Sequence, residues 1–533
     1  MSGQLRIELN IGGQTLSQLG PVPNLRLETM ANQPSRLWVT LTEQRSSQGK
    51  FSLADNTRLK VGGKVTLKLG YEGDGGATEV FRGKIVSRAF KVDSQGMSVE
   101  LNCACSAIGA TEGVLNKAMA GPIKDEVLIR NVLKQAGITL GKVADGLLEH
   151  KQMVLPPVNA WQFVRQRVAA NACVLISRLG KVEVVRPALT GVKHTLQLEI
   201  QNILGLQLLQ DGRHQVNSIA LTAWQIASQS MGTQALKAAG SQAGAAGKAL
   251  GRGRFRRVLD HCASPAVFAK QAEAEVLARE LDFRRGTVIV PGRADIEVGQ
   301  VLSLQKLPTS VAGDYWVSGV CHVADGNGWR TEVTLGLPYH RFFPEASGYA
   351  QGVMLATVEP YKDDPEKLLR LPVKLQGLQP DSAVLWARLG TPLAGKDRGW
   401  FALPQPGDEV VIGFIGGHHE EPVILASVHN PKRKPPYPYG KEAYQHGLVL
   451  EKSLHLTLNS QEKSALLATG DKTSLALSDA KGIEAKRDKA SLALLDGVTV
   501  SNPGKTTKIA AQKIQLDSKS TVDIKVAQFV NVQ

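Results

Sequence analysis

A chain of 533 residues is too long for one hydrophobic core and should divide into roughly three or four domains of about 100–200 residues each. Aromatic residues make up only 5 % and glycine reaches 53, which excludes large aromatic-filled cores and favours short strands and turns; no apolar run approaches the ~18 residues of a membrane span. The net charge of +15 would attract anionic surfaces or cargo, yet the basic residues are mostly scattered, a distribution that argues against specific nucleic-acid binding.

The opening MSGQLRIELNIGG has no charged-then-apolar leader pattern, which predicts synthesis in the cytoplasm. The five cysteines agree: Cys103 and Cys105 lie two apart and Cys173, Cys262 and Cys321 are isolated, neither a disulfide framework nor a zinc spacing. Residues 1 to about 110 read as all-β, with QLRIELNI, RLWVTL, KVTLKLGY, VFRGKIVSRAF and MSVELNCAC alternating between Gly, Asp and Asn turns. Two helices are expected next. Ile123–Gly137 places Ile123, Val127, Leu128, Val132 and Leu133 near one face and stops at Gly137; Asn159–Ala172 has an Asn cap and a stripe of Trp161, Val164 and Val168. CVLISRLGKVEVVRP returns to strands. Met231–Gly253 is Ala/Gly-rich without bulky side chains and predicts a mobile insertion loop or a weak helix, and the basic GRGRFRR at Gly251–Arg257 reads as a solvated loop. Ser264–Arg284 predicts an amphipathic helix with a Ser cap and a proline in its first turn, followed by the strands GTVIVPG, QVLSLQ, DYWVSGVCHVAD and WRTEVTLG.

A new unit begins near Gln351, where about five short strands within some 80 residues match a small OB-type barrel. NPKRKPPYPYGK then forms a proline-stiffened linker. In HLTLNS, SLALSD and SLALLD the first leucines, Leu456, Leu475 and Leu492, recur at close intervals, the mark of repetitive β structure; from Gly447 onward Phe529 is the sole aromatic. So thin a ribbon cannot bury enough apolar surface to offset the ordering of its backbone, and its edges would stay unpaired. Three intertwined copies, with apolar faces meeting on a common axis, remove both defects.

This order of parts resembles the VgrG-like spikes of contractile injection systems: type VI secretion spikes, contractile phage baseplate hub-spikes and phage-tail-like particles. The resemblance is carried best by LPQPGDEVVIGFIGGHHEEPVILASVHNPKRKPPYP, where Pro406, Gly407, Asp408, Glu409, Val410, Gly413, Phe414, Pro422, Val423, Ser427, Val428 and Asn430 match the family pattern and His429 takes the usual aromatic position. GRADIEVGQVLSLQ with GDYWVSGVCHVADGNGWRTEVTLG is similar to the closing strands of the family's hub module, and NAWQFVRQRVAANACVL to its W-x-F helix. The implied fold is mainly β with inserted helices: a β-barrel hub module of two barrel halves over 1–345, an OB-fold domain over 346–430, a linker over 431–446 and a trimeric β-helix or β-prism over 447–533. No lysozyme domain separates barrel and repeat, no effector domain follows the repeat, and no histidine occurs after His455 to build a His-x-His iron site. The resemblance therefore implies either a separate PAAR-like tip protein on the end formed by VAQFVNVQ, with Phe529, Val530, Val532 and Gln533 as contacts, or an uncapped end.

His418, His419, Glu420 and Glu421 side by side suggest a metal or acid/base centre. Gly416–Glu421 nevertheless lies between the alternating runs EVVIGFI and PVILASV, and its glycines and polar residues supply hairpin-turn chemistry. Adjacent histidines point apart on a strand or turn, unlike a His-x-x-x-His pair on a helix. Asp408 is expected to bond backbone N–H groups of its turn, and Asp363, Asp364 and Glu366 to form a structural loop. No nucleophile elbow or phosphate-binding glycine loop occurs. The expectation is a protein with no catalytic residues, no cofactor and no metal.

The resemblance thus implies a non-enzymatic homotrimeric central spike, assembled in the cytoplasm into a baseplate and released or secreted with the particle. It would join the inner tube to a membrane-piercing tip, and its hub would trimerise into a pseudo-six-fold ring. Its partners would be itself, inner-tube and hub ring proteins, baseplate components, the PAAR-like tip, cargo effectors and, transiently, the target membrane. The length and the lack of an effector extension point to a phage-tail-like particle. Two other classes stand beside this reading: an envelope-degrading spike enzyme, which a peptidoglycan-clearing assay would reveal, and an OB-fold nucleic-acid binder, which a salt-sensitive gel shift would reveal.

Overall fold

The alternation in RLWVTL becomes the strand Arg36–Glu43, which buries Leu37, Val39 and Leu41 and leaves the residues between them at least partly exposed. The computed structural model describes residues 4–15, 24–73, 76–94, 96–155, 157–198, 202–237, 242–344, 352–418, 420–441, 443–451, 453–494, 497–508, 512, 513, 515, 517–523 and 525. They fall into two compact units, Met1–Val428 and His429–Gln533.

In the first unit, thirteen of the described strands form one continuous sheet. Asn24–Met30 pairs antiparallel with Gly313–Asp325, and this seam joins the early strands to the late ones. The early and late strands of the hub are therefore parts of one sheet, and pairing across the seam satisfies backbone groups that would otherwise form sheet edges. Each half still has its own core, one including Leu37, Leu67, Ile85 and Val99, the other Val288, Trp316, Val317 and Val333.

Helix α1 (Asp125–Gln135) and helix α2 (Ala160–Ala170) pack on the first core. Asn159 caps α2 by accepting the Gln162 N–H, and Trp161, Val164 and Val168 are buried as their spacing predicts. On α1 the buried face is Leu128, Ile129, Val132 and Leu133; Val127, expected there, is exposed because the helix begins at Asp125 and turns that position outward.

The segment expected as a mobile insertion loop or a weak helix is largely regular structure among the described residues, and the helix alternative holds for part of it. Ser230–Lys237 and Arg254–Cys262 are strands flanking Ser218–Gln225, and helix α3 (Gln242–Ala249) lies between them in sequence. The basic GRGRFRR thus enters a strand instead of a solvated loop. The scarcity of bulk that suggested mobility is what lets α3 approach: a Cβ on Gly247 would stand 2.6 Å from the Val216 backbone. Helix α4 (Pro265–Phe283) covers this small sheet, and the short helix α5 (Tyr339–Phe342) closes the hub.

Val353–Val358, Arg370–Leu375, Leu385–Leu389, Pro422–Val428 and Glu409–Phe414 form a closed five-stranded barrel around Ala356, Val373, Leu385, Val410 and Ile412. No helix among the described residues is long and apolar enough to cross a membrane. All five cysteines are buried and unpaired.

The second unit is a seven-stranded antiparallel meander from Gln445–Glu451 to Val498–Ser501, each strand bonded to the next. Its register aligns two apolar rows on one face, Leu456–Leu467–Leu475–Ala485–Leu492–Val500 and Leu458–Ala465–Leu477–Ile483–Leu494–Val498. The ten larger side chains of these rows all remain substantially exposed. The other face has smaller or more polar rows such as Thr457–Leu466–Ala476–Glu484–Ala493–Thr499. Within one chain this is a single-layer sheet.

Candidate functional site

The strands Lys117–Lys124 and Glu149–Leu155 form a two-stranded ribbon of the hub that grips the barrel. Ala118 and Val154 of this ribbon enter the barrel's own hydrophobic core. Backbone bonds join Gln379 N–H to Asn116 O at 3.1 Å and Ala383 N–H to Ala118 O at 2.9 Å, and Lys117 pairs with Asp381. Gln152 serves the opposite strand as a peptide-like partner: its Nε2 donates to Trp386 O and Glu420 O, both at 3.0 Å, and its Oε1 accepts the Trp386 N–H at 2.8 Å.

Beside Gln152 lies a buried charge cluster. Asp125, the first residue of α1, is fully buried; it accepts both arms of Arg167 at 3.0 Å and the Asn171 amide at 2.7 Å. His150, 2 % exposed, has Nε2 3.1 Å from Asp125 Oδ1 and Nδ1 2.9 Å from Glu420 Oε1, the latter a charge contact without hydrogen-bond alignment. The Arg167 guanidinium also stands 2.6 Å from Nε2.

Burial opposes ionisation of Asp125, but Arg167 and His150 overcome it and hold the carboxyl well below its usual range. For His150, burial and the Arg167 charge work against the proton, yet the Asp125 and Glu420 carboxylates prevail and raise its pKa. Glu420 is lowered: burial opposes ionisation, and His150 and Arg167 outweigh it. Its neighbour Glu421 is pushed up to about 7, by burial first and then by the Glu420 charge. Nε2 of His150 faces Asp125 and Arg167, and Nδ1 faces Glu420 without a hydrogen bond. The arrangement joins hub to barrel.

Of the His418–Glu421 cluster, His418, Glu420 and Glu421 belong to the turn before Pro422–Val428, while His419 lies outside the described residues. The hairpin reading holds: Glu409–Phe414 pairs antiparallel with Pro422–Val428, and Ile415–Gly417 forms a single tight turn. The reach of Glu420 to the hub was not foreseen.

The remaining predicted motif residues build the barrel. Gly407 adopts φ +86 in the turn after Pro406, a conformation other residues adopt only with strain. Asp408 Oδ2 accepts the Gln405 N–H at 2.8 Å, as expected. Glu409, Gly413 and Phe414 lie on one strand, and Pro422 and Ser427 on its partner. Asn430 falls in the second unit, where its side chain accepts the Lys432 and Arg433 N–H groups. Asp364 accepts three backbone N–H groups and the Arg370 guanidinium, so the acidic loop is structural. The expected tip contacts Phe529, Val530, Val532 and Gln533 lie outside the described residues.

Comparison with known proteins follows this division. The family described as the Alg8 N-terminal domain matches residues 2–325, and the family described as the type VI secretion system/phage-baseplate injector OB domain matches residues 354–429. The type VI secretion system spike proteins VgrG1a and VgrG1b of Pseudomonas aeruginosa are each 31 % identical over 68 residues, which is 13 % of this chain and 11 % and 9 % of theirs. The chain thus spans about a tenth of the length of the curated relatives it matches. Among solved structures, a chain of the half-lidded Francisella PdpA–VgrG complex is similar with a TM-score of 0.58 at 10 % identity, over 92 % of this chain and 88 % of that one. An E. coli type VI secretion component, described as similar to the T4 bacteriophage tail proteins gp27 and gp5, gives 0.51 at 13 % identity, over 79 % and 99 %. In fold and barrel motif the chain is VgrG-like.

Proposed function

The chain belongs to the family of the Alg8 N-terminal domain, and on that premise we propose that it is the central spike of a contractile injection system baseplate. In this reading it is a homotrimer that joins the inner tube to a membrane-piercing tip. The observation that carries the proposal is the uncovered apolar face of the second unit, where ten aliphatic side chains stand in register and exposed. Covering them is worth on the order of 10 kcal/mol per chain, and identical rows on identical copies supply a matching cover. Three such faces around one axis close a prism with a dry interior.

The junction fits the same mechanism. Force arriving at the hub would reach the barrel through a shared core and the buried charge cluster beside it. The spike carries no enzymatic activity in this reading. Its partners are inner-tube and hub ring proteins, baseplate components, a PAAR-like tip and cargo effectors; it assembles in the cytoplasm and leaves with the particle.

Light scattering on the pure protein tests the proposal. The expected mass is three times 57.2 kDa, with weaker association for a truncation ending near Tyr439. A fully ordered single copy, second unit included, would overturn it.

A further inference from the structure

A cavity of about 260 Å³ opens among the loop at Asn32 and Gln33, helix α2 and helix α5. It presents Gln162 and Arg165 from α2 and His340 and Arg341 from α5, and no described lining residue is acidic. Arg165 is half-buried, and its enclosed Nε has no hydrogen-bond partner. One terminal nitrogen of Arg165 reaches the Arg341 carbonyl oxygen at 3.4 Å. Asn32 fastens the walls, donating to Arg341 O and accepting the Leu175 N–H, both at 2.9 Å. Neither guanidinium has an ion pair among the described residues.

Such an arrangement is costly as it stands. Burial without a counter-charge disfavours the charged form of Arg165, and its pKa is lowered for that reason alone. On the same helix, the buried Arg167 is matched by Asp125. An anion in the cavity would meet two guanidiniums, an imidazole and amide donors from separate walls, a geometry that suits the several oxygens of a tetrahedral dianion. We propose that this cavity binds a phosphate group, either free inorganic phosphate or the phosphate of a small phosphomonoester.

The test uses the full-length protein, titrated calorimetrically with inorganic phosphate and, in parallel, with glycerol phosphate, against chloride at matched ionic strength. Saturable phosphate binding, weakened at least tenfold by Arg165→Gln and untouched by Arg130→Gln on the hub surface, is the expected result. Tighter binding of the ester identifies the phosphomonoester as the source; tighter binding of inorganic phosphate identifies the free ion. Should Arg165→Gln fail to fold, Arg341→Gln gives the same reading, because the Arg341 side chain is exposed and forms no ion pair with the described residues. Heats indistinguishable from chloride, or binding that survives both substitutions, overturn the proposal.

Discussion

Glu420 and Glu421 are sequence neighbours, yet His150 and Arg167 hold the first below the ordinary carboxylate range while burial and the first one's charge push the second to about 7. A carboxyl whose pKa rises on folding binds more protons in the native state than in the unfolded one. Its contribution to stability therefore falls as pH climbs from its ordinary 4.5 towards 7. His150, also raised, acts in the same direction: the stability it supplies is complete below about 6.5 and is lost as pH passes its native pKa. Glu421→Gln should accordingly raise the melting temperature at pH 8 and leave it nearly unchanged at pH 4.5, as thermal unfolding at the two values will measure. Equal effects at both would mean that Glu421 is charged and comfortable. The turn containing these residues was legible from its glycines and flanking strands. Their partner was not, because His150 stands some 270 positions upstream in a stretch, LLEHKQMVL, that alternates poorly and carries no site signature.

At the scale of elements, the same limit has a different cause. Helix α2 and the barrel strands announce themselves through caps and periodicity, and both form as read. Helix α3 and the ribbon strand Lys117–Lys124 do not: one consists of small residues, the other contains Gly121 and Pro122, and both take shape from what they pack against. Val216 supplies that surface for α3. Gly247→Val would drive a side chain into its backbone, costing roughly 1–3 kcal/mol by overpacking. The expected signature is accelerated amide exchange confined to residues 242–249 and a lowered melting temperature. Unaltered exchange there would show that α3 needs no close contact.

For the whole molecule, the five-stranded barrel and the thin β repeat after it were visible in the periodicity of their strands. The joining of the hub halves into one sheet was not, since strand pairing across several hundred residues leaves no local mark. The uncovered rows of the repeat make a further outcome specific. Leu475→Asp with Leu492→Asp places charges on the two strands that flank Gly482–Arg487, on the apolar face, so the concentration at which the proposed trimer dissociates should rise at least tenfold in a light-scattering dilution series. An unchanged dissociation profile would locate the contacts between copies elsewhere. The five interior thiols carry a practical consequence. With Cys103 pushed up to about 12 and Cys173 to about 11 by burial, the native protein offers alkylating dyes almost no thiolate at neutral pH. One cysteine placed on an outward position would then be the single attachment point for a fluorophore, and labelling at any natural position would report, molecule by molecule, that the fold has opened.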